Sequence, residues 1–142
     1  MSTVLIAENE AISRDFLKRQ LVGLCRILEA TSPMEALDIC RVHSEVDVLV
    51  CDAEPGLVSG MELASLLRAW VPHLRTILIS DLPPDQWTDR QKMELNELPA
   101  GDVLIVEKPL QGLELRIALS TLMSQAAVAA TEGNVFAGYI ER

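Results

Sequence analysis

Val46-Asp47-Val48-Leu49-Val50-Cys51-Asp52 is a short apolar run bracketed by two aspartates. It is too short for a helix, rich in β-branched valine, and nearly free of polar residues between its ends. A strand is expected over Asp47 to Cys51, covered on both faces as strands are inside a parallel sheet. Ligands of open parallel sheets gather beyond the carboxyl ends of the strands, so Asp52 is the first candidate functional residue.

Further strands of this kind are expected over Thr3 to Ala7, Cys25 to Ala30, Arg75 to Ile79 and Asp102 to Val106. Segments of helical period lie between them. Asn9 to Val22 puts Ile12, Phe16, Leu17 and Leu21 on one face, and Gly60 to Trp70 does the same with Leu63, Leu66, Leu67 and Trp70. Ser32-Pro33-Met34-Glu35 is a capping box with proline at the first helical position, so a helix starts there. Pro83, Pro84 and Pro99 bracket a helix of roughly Asp85 to Glu97, and the last helix is expected from about Gln111 to Ala127. The alternation repeats five times with no low-complexity segment, which makes the chain α/β: a (βα)5, doubly wound, five-stranded parallel sheet. Residues 1–127 are expected to form this one domain, and 128–142 a C-terminal tail or the start of a linker.

Composition narrows the function. With 142 residues, 49% of them hydrophobic and 23% charged, the chain can close one core. Its net charge of -9, with no basic run, repels phosphate backbones and anionic lipid, so neither nucleic acid nor a membrane is expected as a partner. No apolar stretch reaches the roughly 20 residues that span a bilayer, and a cytoplasmic location is expected. Cys25, Cys40 and Cys51 are odd in number and widely spaced, which reads as buried reduced thiols rather than a metal site.

At the strand ends stand Glu8-Asn9-Glu10, Asp52, Ser80-Asp81 and Lys108-Pro109. Through V-L-I-A-E-N-E, V-D-V-L-V-C-D, T-I-L-I-S and V-L-I-V-E-K-P-L the chain resembles the response-regulator receiver family, over roughly Thr3 to Gln125. Each piece alone is weak; four in order at matching strand ends are specific. The resemblance implies a flavodoxin-like strand order 2-1-3-4-5 and no turnover of an external substrate. It implies that Asp52 takes a phosphoryl group from a histidine kinase or phosphotransfer protein. It further implies that Glu8, Asn9, Asp52 and the backbone carbonyl of Glu54 hold Mg2+, and that Ser80 donates to a phosphoryl oxygen. Lys108 would pair with the phosphorylated carboxylate, Pro109 would follow a cis peptide, and signalling would leave through the face of the fourth helix, fifth strand and last helix, where a homodimer is plausible. Such chemistry needs an in-line nucleophile, a cation against the equatorial oxygens and fixed donors.

Several positions depart from the family. Asn9 replaces an aspartate that touches the metal, and a unit charge about 4 Å from another is worth roughly 4 kcal/mol at an effective dielectric of about 20. Asp81 stands where a small neutral residue is usual; it either repels a phosphodonor, restores the carboxylate missing at Asn9, or merely caps a turn. Pro55 comes one position early. Ile105 replaces the aromatic residue that commonly reports phosphorylation.

Two other functions stay open: a degenerate receiver that binds proteins without phosphorylation, and a flavodoxin-like flavin protein. The acidic loop Ala7-Glu8-Asn9-Glu10 opposes the last, since a flavin phosphate wants free N–H groups. His43 and His73 read as helix-end and loop residues, and Trp70 and Trp87 as packing residues, with Trp87 a candidate for a partner interface.

Overall fold

A computed structural model describes residues 1–53, 58–110, 113–132 and 138–140, with side chains through 124. The strands are β1 (Thr3–Ala7), β2 (Arg26–Ala30), β3 (Val48–Asp52), β4 (Arg75–Ser80), β5 (Val103–Glu107) and a short β6 (Gly138–Ile140). All neighbours pair in parallel, in the order β2-β1-β3-β4-β5-β6. The expected order of the first five strands is therefore present, and β6, which falls in the stretch read as a tail, extends the sheet beyond β5. The helices are α1 (Ala11–Leu21), α2 (Pro33–Val42), α3 (Gly60–Leu67), α4 (Asp89–Asn96) and α5 (Glu114–Glu132). The last continues past Ala127, the end expected from the sequence.

Period-two alternation divides the strand side chains between two apolar layers. Val4, Ile6, Val48, Val50, Ile77, Ile79, Leu104 and Val106 meet Leu17 and Leu21 of α1 and Leu115, Ala118, Leu119 and Leu122 of α5. On the opposite face Leu5, Leu49, Cys51, Leu78 and Ile105 meet Ala36 and Cys40 of α2 and Met61, Leu63, Ala64 and Leu67 of α3. Cys25, Cys40 and Cys51 are free and buried, and burial pushes the Cys40 thiol up to about 11.

Two amphipathic faces are narrower than the spacing implied. Leu17 and Leu21 are buried, but Ile12 is 79% and Phe16 38% exposed, because α1 begins beyond the carboxyl edge of the sheet and its first turns overhang that edge. Likewise Leu63 and Leu67 are buried while Leu66 and Trp70 are half-exposed, the Arg41 guanidinium lying over the Trp70 ring at 5.5 Å. The Ser32 hydroxyl accepts from the Glu35 amide at 3.1 Å as a cap should, but the Glu35 carboxylate reaches one residue further back, to the Thr31 amide at 3.0 Å. The reciprocal box is at α4: the Thr88 hydroxyl accepts from the Gln91 amide, and the Gln91 side chain from the Thr88 amide. That cap starts α4 at Asp89, after a single 3-10 turn over Pro84–Gln86, rather than at Asp85.

Gly60 opens α3 against the end of β3, capped by Ser59. A Cβ there would penetrate the carbonyl oxygen of Asp52 and press on Leu78, so only glycine lets α3 approach this closely. Replacing Gly60 with alanine is expected to destabilise the fold by about 1–3 kcal/mol, the usual cost of overpacking. Urea denaturation checks this, and an unchanged midpoint would contradict the close approach.

Candidate functional site

The sheet ladder runs one residue past several strands and so fixes the residues that follow them. The Glu8 amide donates to the Ala30 carbonyl at 3.0 Å, the Ala53 amide to the Ile79 carbonyl at 2.9 Å, and the Lys108 amide to the Ser80 carbonyl at 2.7 Å. The site residues are thus carried by the rigid edge of the sheet rather than by loop tips. Arg14 of α1 pins the first loop, giving Nη1 to the Glu8 carbonyl at 3.0 Å and pairing through Nε with Glu29 at 3.3 Å.

A cavity of about 550 Å³ opens at this edge, lined by Glu8, Asp52, Asp81 and Lys108, with Ile12 and Phe16 of α1 on one wall. Lys108 Nζ lies 3.1 Å from Asp52 Oδ1 and 3.9 Å from Asp81 Oδ2. The Lys108–Pro109 peptide is cis. Burial pushes the Glu8 carboxyl above its ordinary value; the Glu10 amide, donating to Glu8 Oε1 at 3.1 Å, opposes the rise. The Asp52 charge and a carboxyl–carboxyl hydrogen bond to Asp52 add to the rise, and the Lys108 charge works against it. Glu8 and Asp52 therefore share one cavity, two acids with the Lys108 ammonium between the same walls.

This donor set fits a magnesium ion, which takes one or two carboxylates and keeps several waters. Glu8 and Asp52 supply the two carboxylates, and Asn9 is exposed on the same loop. Glu54 and Pro55 lie outside the described residues, so the expected backbone ligand is not part of this geometry. Among the described residues no three acidic, histidine or cysteine side chains come together as a metal-holding group. Asp81 lines the same cavity as Glu8 and Asp52; it is 63% exposed, with Oδ2 3.9 Å from Lys108 Nζ.

Ser80 is the most enclosed of the site residues. It ends β4 fully buried, and its hydroxyl is engaged by the Leu82 backbone and by the Trp87 indole. Trp87, read as a possible partner-facing residue, is instead 5% exposed and belongs to the apolar layer that holds Ile105. The one signal in the sequence was its place directly before Thr88-x-x-Gln91, a capping box that fixes where α4 begins and so which way residue 87 faces. Gly60 was also unread as a site residue, since its role depends on the approach of a segment eight positions from Asp52 in the chain.

No family model matches the chain. Transcriptional regulatory protein YvrH of Bacillus subtilis is 30% identical over 118 residues, which are 80% of this chain and 46% of that protein. The chain thus spans about half the length of that relative. Among solved structures, a response regulator receiver domain protein from Clostridium thermocellum superposes with a TM-score of 0.73 at 20% identity, over 90% of this chain and 98% of that one. A CheY-like receiver domain protein from Methanospirillum hungatei gives 0.70 at 16% identity, over 94% and 99%. A structure described as adenylate cyclase from Rhodopirellula baltica gives 0.74 at 19% identity, over 93% and 94%. At these identities the likeness establishes the fold.

The raised Glu8 carboxyl carries a sign that can be tested. Its folded value lies above the ordinary 4.5, so ionising it costs the fold stability as pH rises through that region, and the cost persists at neutral pH. In metal-free buffer Glu8→Gln is expected to raise the melting temperature at pH 7, with the gain vanishing as pH falls below the ordinary carboxylate range. A lower melting temperature for Glu8→Gln at pH 7 would contradict this reading of the pair.

Proposed function

We propose that this chain, which has the fold of the response-regulator receiver domains, accepts a phosphoryl group on Asp52 from a histidine kinase or phosphotransfer protein and thereby switches a protein–protein interface. The observation that carries the reading is the Asp52 carboxylate at the carboxyl end of β3, in one cavity with Glu8 and paired with Lys108 Nζ at 3.1 Å. Nucleophile, acidic partner and fixed cation are the parts that phosphoryl transfer asks of a protein.

A carboxylate oxygen of Asp52 attacks the phosphorus of a phosphohistidine; the P–N bond breaks, a P–O bond forms, and the imidazole leaves with the bond's electron pair. Glu8, Asn9 and Asp52 would hold magnesium, which supplies charge neutralisation at the phosphoryl oxygens when bound. Lys108 orients Asp52 beforehand and compensates charge on the acyl phosphate. The exposed Ile12 and Phe16, on the wall of the same cavity, offer an apolar contact for the helix that carries the donor histidine. No external substrate is turned over, and the protein acts in the cytoplasm. The switched interface is the face of α4, β5 and α5, and a second copy of the chain is one candidate partner.

One observation favours a second reading, a receiver that binds partners without phosphorylation. Asp81 offers Lys108 a second carboxylate at 3.9 Å, and Asn9 adds no charge to the metal side. Intact-mass measurement of wild type and Asp52→Ala after incubation with acetyl phosphate and magnesium separates the two. One added phosphoryl mass on wild type alone is expected. No addition, with a competent receiver as control, would overturn phosphoacceptance in favour of the second reading.

A further inference from the structure

The Ser80 hydroxyl has one proton to give, and the Leu82 carbonyl is within its reach. Ser80 Oγ donates to the Leu82 carbonyl at 2.7 Å, while it accepts from the Leu82 amide at 3.2 Å and from Trp87 Nε1 at 3.1 Å. The same indole N–H reaches the Leu82 carbonyl at 3.2 Å. Ser80 nevertheless belongs to the site by its backbone: it follows Ile79, the β4 partner of Asp52, and its carbonyl accepts from the Lys108 amide. A hydroxyl given to Leu82 is not given to a phosphoryl oxygen, so the two arrangements exclude one another.

We infer that Trp87 is a positioning residue, whose indole N–H holds the Ser80 hydroxyl away from Asp52 until phosphorylation draws that hydroxyl off and leaves the indole with the Leu82 carbonyl alone. The inference rests on Asp52 being the phosphoacceptor and adds a residue and a direction to that reading. The exchange does not strand the indole donor, because it keeps the Leu82 carbonyl. Trp87 immediately precedes Thr88, the cap of α4, so any displacement of the ring is handed to the start of that helix. Its ring also packs in the layer that contains Ile105, the position where the receiver family commonly carries an aromatic residue. A change in the phosphate pocket is thereby read from the α4 side of the sheet.

The test uses the full chain in a Trp70→Phe background, which leaves Trp87 as the sole tryptophan of the two in the sequence. The Trp87 indole N–H resonance is followed by NMR while acetyl phosphate and magnesium are added, and intact mass is read on the same sample. The resonance is expected to shift in step with the phosphoryl mass. In Ser80→Ala it is expected to start at a displaced position and to stay there on phosphorylation. Trp87→Phe, which keeps a ring but removes the N–H, is expected to change the lifetime of the phosphorylated form by about fivefold, the equivalent of one net hydrogen bond. A phosphoryl mass with an unmoved indole resonance overturns the role of Trp87 and leaves Asp52 as the acceptor. Absence of the mass overturns the acceptor reading and the inference with it.

Discussion

The ammonium of Lys108 is the constraint on which the carboxyl edge of this protein depends. Among the described residues that line the cavity it is the sole cation, and it faces Glu8, Asp52 and Asp81. The Asp52 charge raises the Glu8 carboxyl, a repulsion that would be more unfavourable in a partly desolvated pocket without a positive charge alongside. Its 3.1 Å contact fixes an oxygen of Asp52, and its amide is tied to the Ser80 carbonyl, so one residue joins the chemistry of β3 to the ends of β4 and β5. The residual excess of negative charge makes the kind of donor set that suits a divalent cation.

The rest of the fold serves that edge. Two apolar layers hold the strands in a register that brings Glu8, Asp52, Ser80 and Lys108 to the same end of the sheet. Gly60 lets α3 close on the Asp52 carbonyl, and Arg14 ties the first loop to Glu29 of β2. On the side of α4, the hydroxyl of Ser80 is wired to Trp87 rather than to the cavity, so the edge has both a chemical face and a mechanical one.

Strand interiors were legible because continuous Val, Ile and Leu runs leave little alternative to a buried parallel strand. Val48-Leu49-Val50-Cys51 is the clearest case, and Asp52, Glu8, Ser80 and Lys108 follow from strand ends by topology alone. The helix faces were legible only in part: Ile12 and Phe16 obey the helical period of Leu17 and Leu21, but period says nothing of where a helix overhangs its sheet. Side-chain direction at the site was not legible either. Nothing in Ser80-Asp81 tells that one hydroxyl turns to an indole seven residues on, or that one carboxylate leans to Lys108, because both outcomes are set by three-dimensional neighbours rather than by local pattern. The short β6 escaped for a related reason, since three residues at a sheet edge carry too weak a signal to stand out from a loop.

The central claim is that Glu8 and Asp52, balanced by Lys108, form a cation-dependent phosphoacceptor site. Its most direct test is a magnesium titration of the metal-free protein followed through backbone amide NMR shifts. The account expects one saturable event whose shifts concentrate at the carboxyl ends of β1, β3 and β5 and are lost in Asp52→Asn. Shifts that never saturate, or that gather away from those strand ends, would contradict it.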